Sequence, residues 1–171
     1  MRISTFVTAA VALASGSVIS AAPTPAELHK RALEVIYLSK CQYGTVSAGA
    51  QGWNLEVEFY ENTNNSQNGQ VPSTENRSTD IWTWEWEPQR PTHFATDKGQ
   101  YAVFPTTTFS YDLVADAYSK DVGVDAGKWK ATNGWHHDWV CKRDSGRRLY
   151  SVGGGANGYW RVCYAEFYCM H

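Results

Sequence analysis

Apolar and polar residues alternate along most of the 171-residue chain, and no stretch carries the three-and-four spacing of a long amphipathic helix. The clearest case is Asn54–Tyr60, where Leu55, Val57 and Phe59 share one face and Glu56, Glu58 and Tyr60 the other. The second face, carrying both glutamates, reads as the solvated one. Leu33–Leu38, Asp80–Glu87, Tyr101–Phe104, Thr106–Tyr111, Trp135–Lys142, Arg148–Val152 and Tyr159–Tyr168 follow the same rule, with Pro88 ending the Asp80 strand. Arg143–Arg147 and Gly153–Gly158 read as hairpin connections, and only Asp112–Tyr118 suits a helical turn. Glu61–Thr79 is polar throughout and reads as a surface loop. The pattern predicts one all-β domain, an antiparallel β-sandwich or small barrel.

Composition agrees. Eight Trp, ten Tyr and six Phe favour strands, and 43% hydrophobic against 19% charged residues excludes a disordered chain. A formal charge of −2 gives no reason to expect nucleic acid or an anionic membrane as partner. Acidic residues dominate the first part of the domain and basic ones the last. Lys128, Lys130, Lys142, Arg143, Arg147 and Arg148 read as solvated turn residues there.

The first residues change the compartment. Arg2, an apolar run from Phe6 to Ile19 and the small residues Ser20, Ala21 and Ala22 have the form of a secretory signal over residues 1–21, too short to span a bilayer. Residues 22–31 then read as a pro-segment ending at the dibasic Lys30-Arg31, which leaves 32–171 as the single β domain. An oxidising route makes two disulfides the expectation for Cys41, Cys141, Cys163 and Cys169. Cys163 and Cys169 sit on one strand roughly 20 Å apart, so they cannot bond to each other. Two pairings stay open; Cys41–Cys169 with Cys141–Cys163 is the one expected, since it ties the two ends of the domain together. Asn64 and Asn76 each begin a glycosylation sequon, in keeping with secretion.

Catalytic candidates are few. In His136-His137-Asp138 adjacent strand residues point to opposite faces, so His136 sides with Asp138 and His137 with Trp135 and Trp139. His93 and His171 add no obvious third and fourth ligand, and neither a metal nor a cofactor is expected. With both disulfides formed no thiol nucleophile remains, and there is no Gly-x-Ser-x-Gly elbow. Glu56 and Glu58, with His136, are the residues a small ribonuclease or glycosidase would use. Binding chemistry is richer. Trp82, Trp84 and Trp86 lie on one strand face, either as core or as a platform on which sugar rings stack.

Three connections stiffened by Pro or rich in Gly stand out: Arg90-Pro91-Thr92, Phe104-Pro105-Thr106-Thr107-Thr108-Phe109 and Val152-Gly153-Gly154-Gly155-Ala156. Their vocabulary resembles the inhibitory loops of chagasin-type inhibitors of papain-like cysteine proteases, although Thr92, Phe104 and Thr108 depart from that family's pattern and the loop order differs. The resemblance implies a wedge that blocks a protease cleft through Arg90, Pro91, Pro105, Thr106, Thr107, Thr108, Gly153, Gly154 and Gly155. The leader, Val35–Cys41, Cys141–Arg147 and Phe167-Tyr168-Cys169 are similar to small secreted effector proteins of plant-associated filamentous fungi. That likeness implies a monomeric, non-enzymatic virulence protein acting in the host apoplast on an extracellular host protein. A glycan-binding module is the alternative, and a small hydrolase the second.

Overall fold

The computed structural model describes residues 33–78, 81–83, 93–96, 99–105, 107–131, 139–154 and 158–170. Antiparallel strands dominate: β1 (Val35–Thr45), β2 (Gly49–Tyr60), β3 (Arg77–Ser78), β4 (Ile81–Thr83), β5 (Gly99–Val103), β6 (Thr108–Leu113), β7 (Asp125–Ala131), β8 (Trp139–Arg143), β9 (Arg148–Gly153) and β10 (Tyr159–Met170). They form one nearly closed, barrel-like sheet in the order β3-β2-β1-β10-β8-β7-β6-β5-β4. β3 pairs with β2 and β4 with β5, and Ser78 Oγ donates to Val103 O at 2.5 Å, which draws the two ends of the sheet together.

β10 organises the molecule. One edge pairs with β1 along its length; the other pairs with β9 at Trp160–Tyr164 and with β8 at Phe167–Met170. β8 and β9 are therefore two parts of one edge and do not form the expected hairpin. The intervening segment stays on β10, with Asp144 N–H donating to Glu166 O and Ala165 N–H to Arg147 O, both at 2.9 Å. Glu166 is the extra residue of a bulge, since Leu38 faces Phe167 while Ser39 faces Ala165.

Two cores result. Ile36, Leu38, Leu55, Val57, Trp129 and Phe167 belong to the barrel interior, while Val35, Tyr37, Tyr60, Leu149, Tyr150 and Ala165 form a second cluster on the other face of β1, β2 and β10. This overturns the reading of the Glu56 and Glu58 face as solvated: both residues are 0% exposed, because β9 and the start of the 61–78 segment cover them. That segment is not the expected loop. It contains α1 (Thr63–Gln67), capped by Asn62 Oδ1 accepting from Asn64 N–H, and its buried Ser66 Oγ lies 2.9 Å from Tyr37 OH.

The register also corrects the disulfides. Cys41 stands opposite Cys163 on β10 and Cys141 opposite Cys169, and the bonds are Cys41–Cys163 and Cys141–Cys169. The bar on Cys163–Cys169 holds because both lie on β10. Strand β7 went unforeseen. A register shift between Asp125 and Gly127 puts Ala126 and Trp129, three residues apart, both in the core, which breaks the two-residue rhythm. Lys128 and Lys130 are on β7, Lys142 and Arg143 on β8 and Arg148 on β9, so only Arg147 of the six basic residues sits in a connection. Of Asp112–Tyr118 only Ala117 and Tyr118 enter a helical turn, the 3-10 element Ala117–Ser119, while Asp112 and Leu113 end β6.

Candidate functional site

Glu56 and Glu58 are adjacent on one face of β2 but live in different surroundings. Glu56 Oε1 accepts from Arg77 Nε at 3.0 Å and Tyr150 OH at 2.9 Å, and Oε2 accepts from Arg161 NH1 at 2.9 Å. Glu58 Oε1 accepts from Ser39 Oγ, and Oε2 has no hydrogen-bond partner among the described residues. Burial raises both carboxyls; at Glu56 the guanidinium of Arg161, the hydroxyl of Tyr150 and the guanidinium of Arg77 oppose the rise. At Glu58 burial and then the neighbouring Glu56 charge push the group well above the ordinary carboxyl range. The pair thus divides into a carboxyl whose charge two guanidiniums favour and one whose surroundings favour the protonated form. Neither is open to a substrate, and His136, the imidazole expected beside them, lies outside the described residues, as do His137 and Asp138.

The mouth of the barrel carries a different cluster. Tyr118 OH donates to Glu166 Oε2 at 2.9 Å and accepts from Phe94 N–H at 2.8 Å, Arg143 stacks 5.5 Å over the Tyr118 ring, and His93 meets that ring edge-on at 5.5 Å. Here the hydroxyl spends both its bonds tying the 93–96 segment to the β10 bulge. Tyr118 works as a latch.

The open chemistry lies at the other end of β1, β2 and β10. On one sheet face Trp53, 41% exposed, sits 6.2 Å from Tyr164 ring to ring, and Lys40 Nζ lies 5.2 Å over the Trp53 ring. Trp160 extends the same face, four residues from Tyr164 and hence roughly 13 Å along the strand. Gly44 makes room for this: a Cβ there would come within 2.1 Å of Gly49 O and 2.7 Å of the Trp160 ring, so the turn backbone and the indole both need the bare position. Gln42, opposite both Trp53 and Val162, stands among these rings. The two hairpin turns are joined beside this face by Val46 N–H donating to Gly158 O at 2.6 Å. Sequence reasoning missed Trp53, Trp160 and Tyr164; the isolated glycines Gly44 and Gly52 inside strands were the available signal, since such glycines mark close approach.

The expected site residues are scattered. Arg90, Pro91, Thr106 and Gly155 lie outside the described residues, as do Trp84 and Trp86; Trp82 is placed by its backbone alone, in β4. Pro105 and Thr107 form the β5–β6 turn, closed by Phe104 N–H to Thr107 O at 2.8 Å, with Thr108 opening β6. Gly153 and Gly154 form the β9–β10 turn, where Gly153 adopts φ 116° and a Cβ would lie 2.1 Å from Tyr159 O. These turns do not share a rim. Val103 is held by Ser78, which lies across β2 and β1 from Phe167, whereas Gly153 pairs with Trp160. Seven strand residues, roughly 20 Å, separate the two levels. The sequon residue Asn64 is exposed on α1 and Asn76 is half-buried; the serines completing both sequons, Ser66 and Ser78, are buried and hydrogen-bonded.

Charges on the outer face of β6–β8 largely cancel. Asp112 stands opposite Lys128, and Asp125 pairs with Lys142 at 2.7 Å, around an open basin of about 490 Å³. Among the described residues no helix is long and apolar enough to cross a membrane, and two disulfides fit an extracellular location. Comparison with known proteins returned no matching family model, no matching curated protein and no matching solved structure.

Proposed function

We propose that this is a secreted carbohydrate-recognition module that binds an extended oligosaccharide across the face formed by Trp53, Tyr164 and Trp160. The observation that carries the reading is Trp53, an indole 41% exposed beside a second ring and held in place by a lysine. Sugar rings offer an apolar C–H face to an aromatic plane and hydroxyls at their edges; Lys40, over one face of Trp53, and Gln42 supply polar groups beside the faces left open. The span from Trp160 to Tyr164, roughly 13 Å, suits a short run of sugars and not a single one. Titration of the protein with chitin and cellulose oligosaccharides, read by tryptophan fluorescence, tests this directly. Binding is expected to weaken at least tenfold, about 1.4 kcal/mol, in Trp53→Ala. No response to any oligosaccharide, or equal binding by Trp53→Ala, refutes it.

Blockade of a host extracellular protein is the second reading, since Trp and Tyr are also where protein interfaces concentrate their energy, and Tyr159, another open ring, is 41% exposed at the same end. The roughly 20 Å between the Pro105 and Gly153 turns argues against one wedge built from both. Undiminished turnover of a papain-like protease at micromolar protein removes that target.

A further inference from the structure

Metal-ligating side chains converge on the floor of the second core. Ligand atoms of Cys41, Glu56, Glu58 and Cys163 all lie within 4.8 Å of one another, each on a fully buried residue. Register creates the group, because Cys41 faces Cys163 across β1 and β10 while Glu56 and Glu58 come from the neighbouring face of β2. In the oxidised chain the sulfurs are consumed by the disulfide and no site exists. The surroundings are nevertheless those of a metal centre. Arg77, Tyr150 and Arg161 orient Glu56, Ser39 orients Glu58, and Glu58 Oε2 alone is bare, on a residue 0% exposed. Ligating carboxylates are ordinarily fixed by such outer partners; Glu58 Oε2 is open to the ion, and Glu56 would share a remaining lone pair of an oxygen that already accepts a hydrogen bond.

We propose that, once a dithiol has reduced Cys41–Cys163, the two cysteines and the two glutamates form a tetrahedral site for a borderline-soft divalent cation, Zn²⁺ in particular. The dithiol delivers two electrons and two protons to the S–S bond, which breaks to two thiols, and is itself oxidised to a disulfide. The cation then displaces both thiol protons, and the proton of Glu58, to solvent. Paired thiolates exclude Mg²⁺ and Ca²⁺, which take oxygen ligands, and suit Zn²⁺. Tetrahedral zinc holds its ligand atoms roughly 3.5 Å apart, so shifts of about an ångström complete the shell. Charge also closes: the ion, Arg77 and Arg161 together balance two thiolates and two carboxylates. The site would brace the fold wherever a dithiol has opened that disulfide.

The test is a Co²⁺ titration of the whole protein, recovered from a secreting host and compared before and after reduction with a phosphine. The reduced protein is expected to take up Co²⁺ with a sulfur-to-cobalt charge-transfer band and tetrahedral visible bands, both absent before reduction. Glu58→Gln should weaken uptake at least tenfold, and Cys41→Ser should remove most of the charge-transfer intensity. Should reduction unfold the chain, Zn²⁺ must restore its circular dichroism in the parent and fail to do so in Glu58→Gln. Absence of the band, uptake unchanged in both variants, or no recovery of fold with Zn²⁺ overturns the proposal.

Discussion

Replacing each of the two β2 glutamates by glutamine is expected to move stability in opposite directions. Glu56→Gln removes the charge that two guanidiniums and a phenol converge on within 3.0 Å. Breaking a buried ion pair costs about 3–5 kcal/mol, and since Arg77 and Arg161 keep 23% and 18% of their side chains in contact with water, the lower end applies, about 3 kcal/mol. Glu58→Gln removes no ion pair. Its Oε1 keeps the Ser39 hydroxyl, and its amide N–H stands where the protonated acid has its O–H, so amide and neutral acid are near-equivalents. The gain at neutral pH is the cost of keeping a buried acid protonated, which a neutral amide does not carry. The pH dependence gives an independent check. Burial and Glu56 hold the folded-state pKa of Glu58 above the ordinary carboxyl value of 4.5, so folded protein retains a proton that unfolded chain releases. The parent therefore loses stability as pH climbs from that value toward the raised one. Below about pH 4 the acid is neutral in both states, and the advantage of Glu58→Gln should vanish; it should grow with pH thereafter. Urea unfolding with disulfides intact, followed by tryptophan fluorescence at several pH values, measures all three proteins. Destabilisation by Glu58→Gln at neutral pH, or a gain that does not change with pH, would falsify the division of roles between the two carboxyls.

Two further substitutions probe the barrel. Tyr118→Phe deletes the hydroxyl that joins Phe94 N–H to Glu166 Oε2 and should cost about 2 kcal/mol in the same urea assay, with faster hydrogen exchange at the Phe94 amide; an unchanged midpoint would show that the latch carries no load. Tyr111→Phe should be neutral or stabilising by up to about 1 kcal/mol, because the buried hydroxyl has no hydrogen-bonding partner among the described residues while the ring keeps its stack on Trp129 at 5.3 Å. A loss above about 1 kcal/mol would reveal a partner for that hydroxyl.

Alternation in Asn54–Tyr60 was enough to sort Leu55, Val57 and Phe59 from Glu56, Glu58 and Tyr60, because successive strand residues point to opposite faces wherever the strand is placed. The all-β class and the bar on Cys163–Cys169 rested on equally local geometry. Which face is dry did not. Glu56 and Glu58 are buried because β9, with Tyr150 about a hundred residues further on, covers their face, and two arginines from β3 and β10 arrive to neutralise one of the two. Pairing Cys41 with Cys163 likewise needed the β1–β10 register, and the aromatic face needed Trp160 laid over Gly44 from another strand. Local sterics decided which side chains travel together; only long-range strand pairing decided what each group meets, because register is a relation between distant segments that neither segment encodes alone.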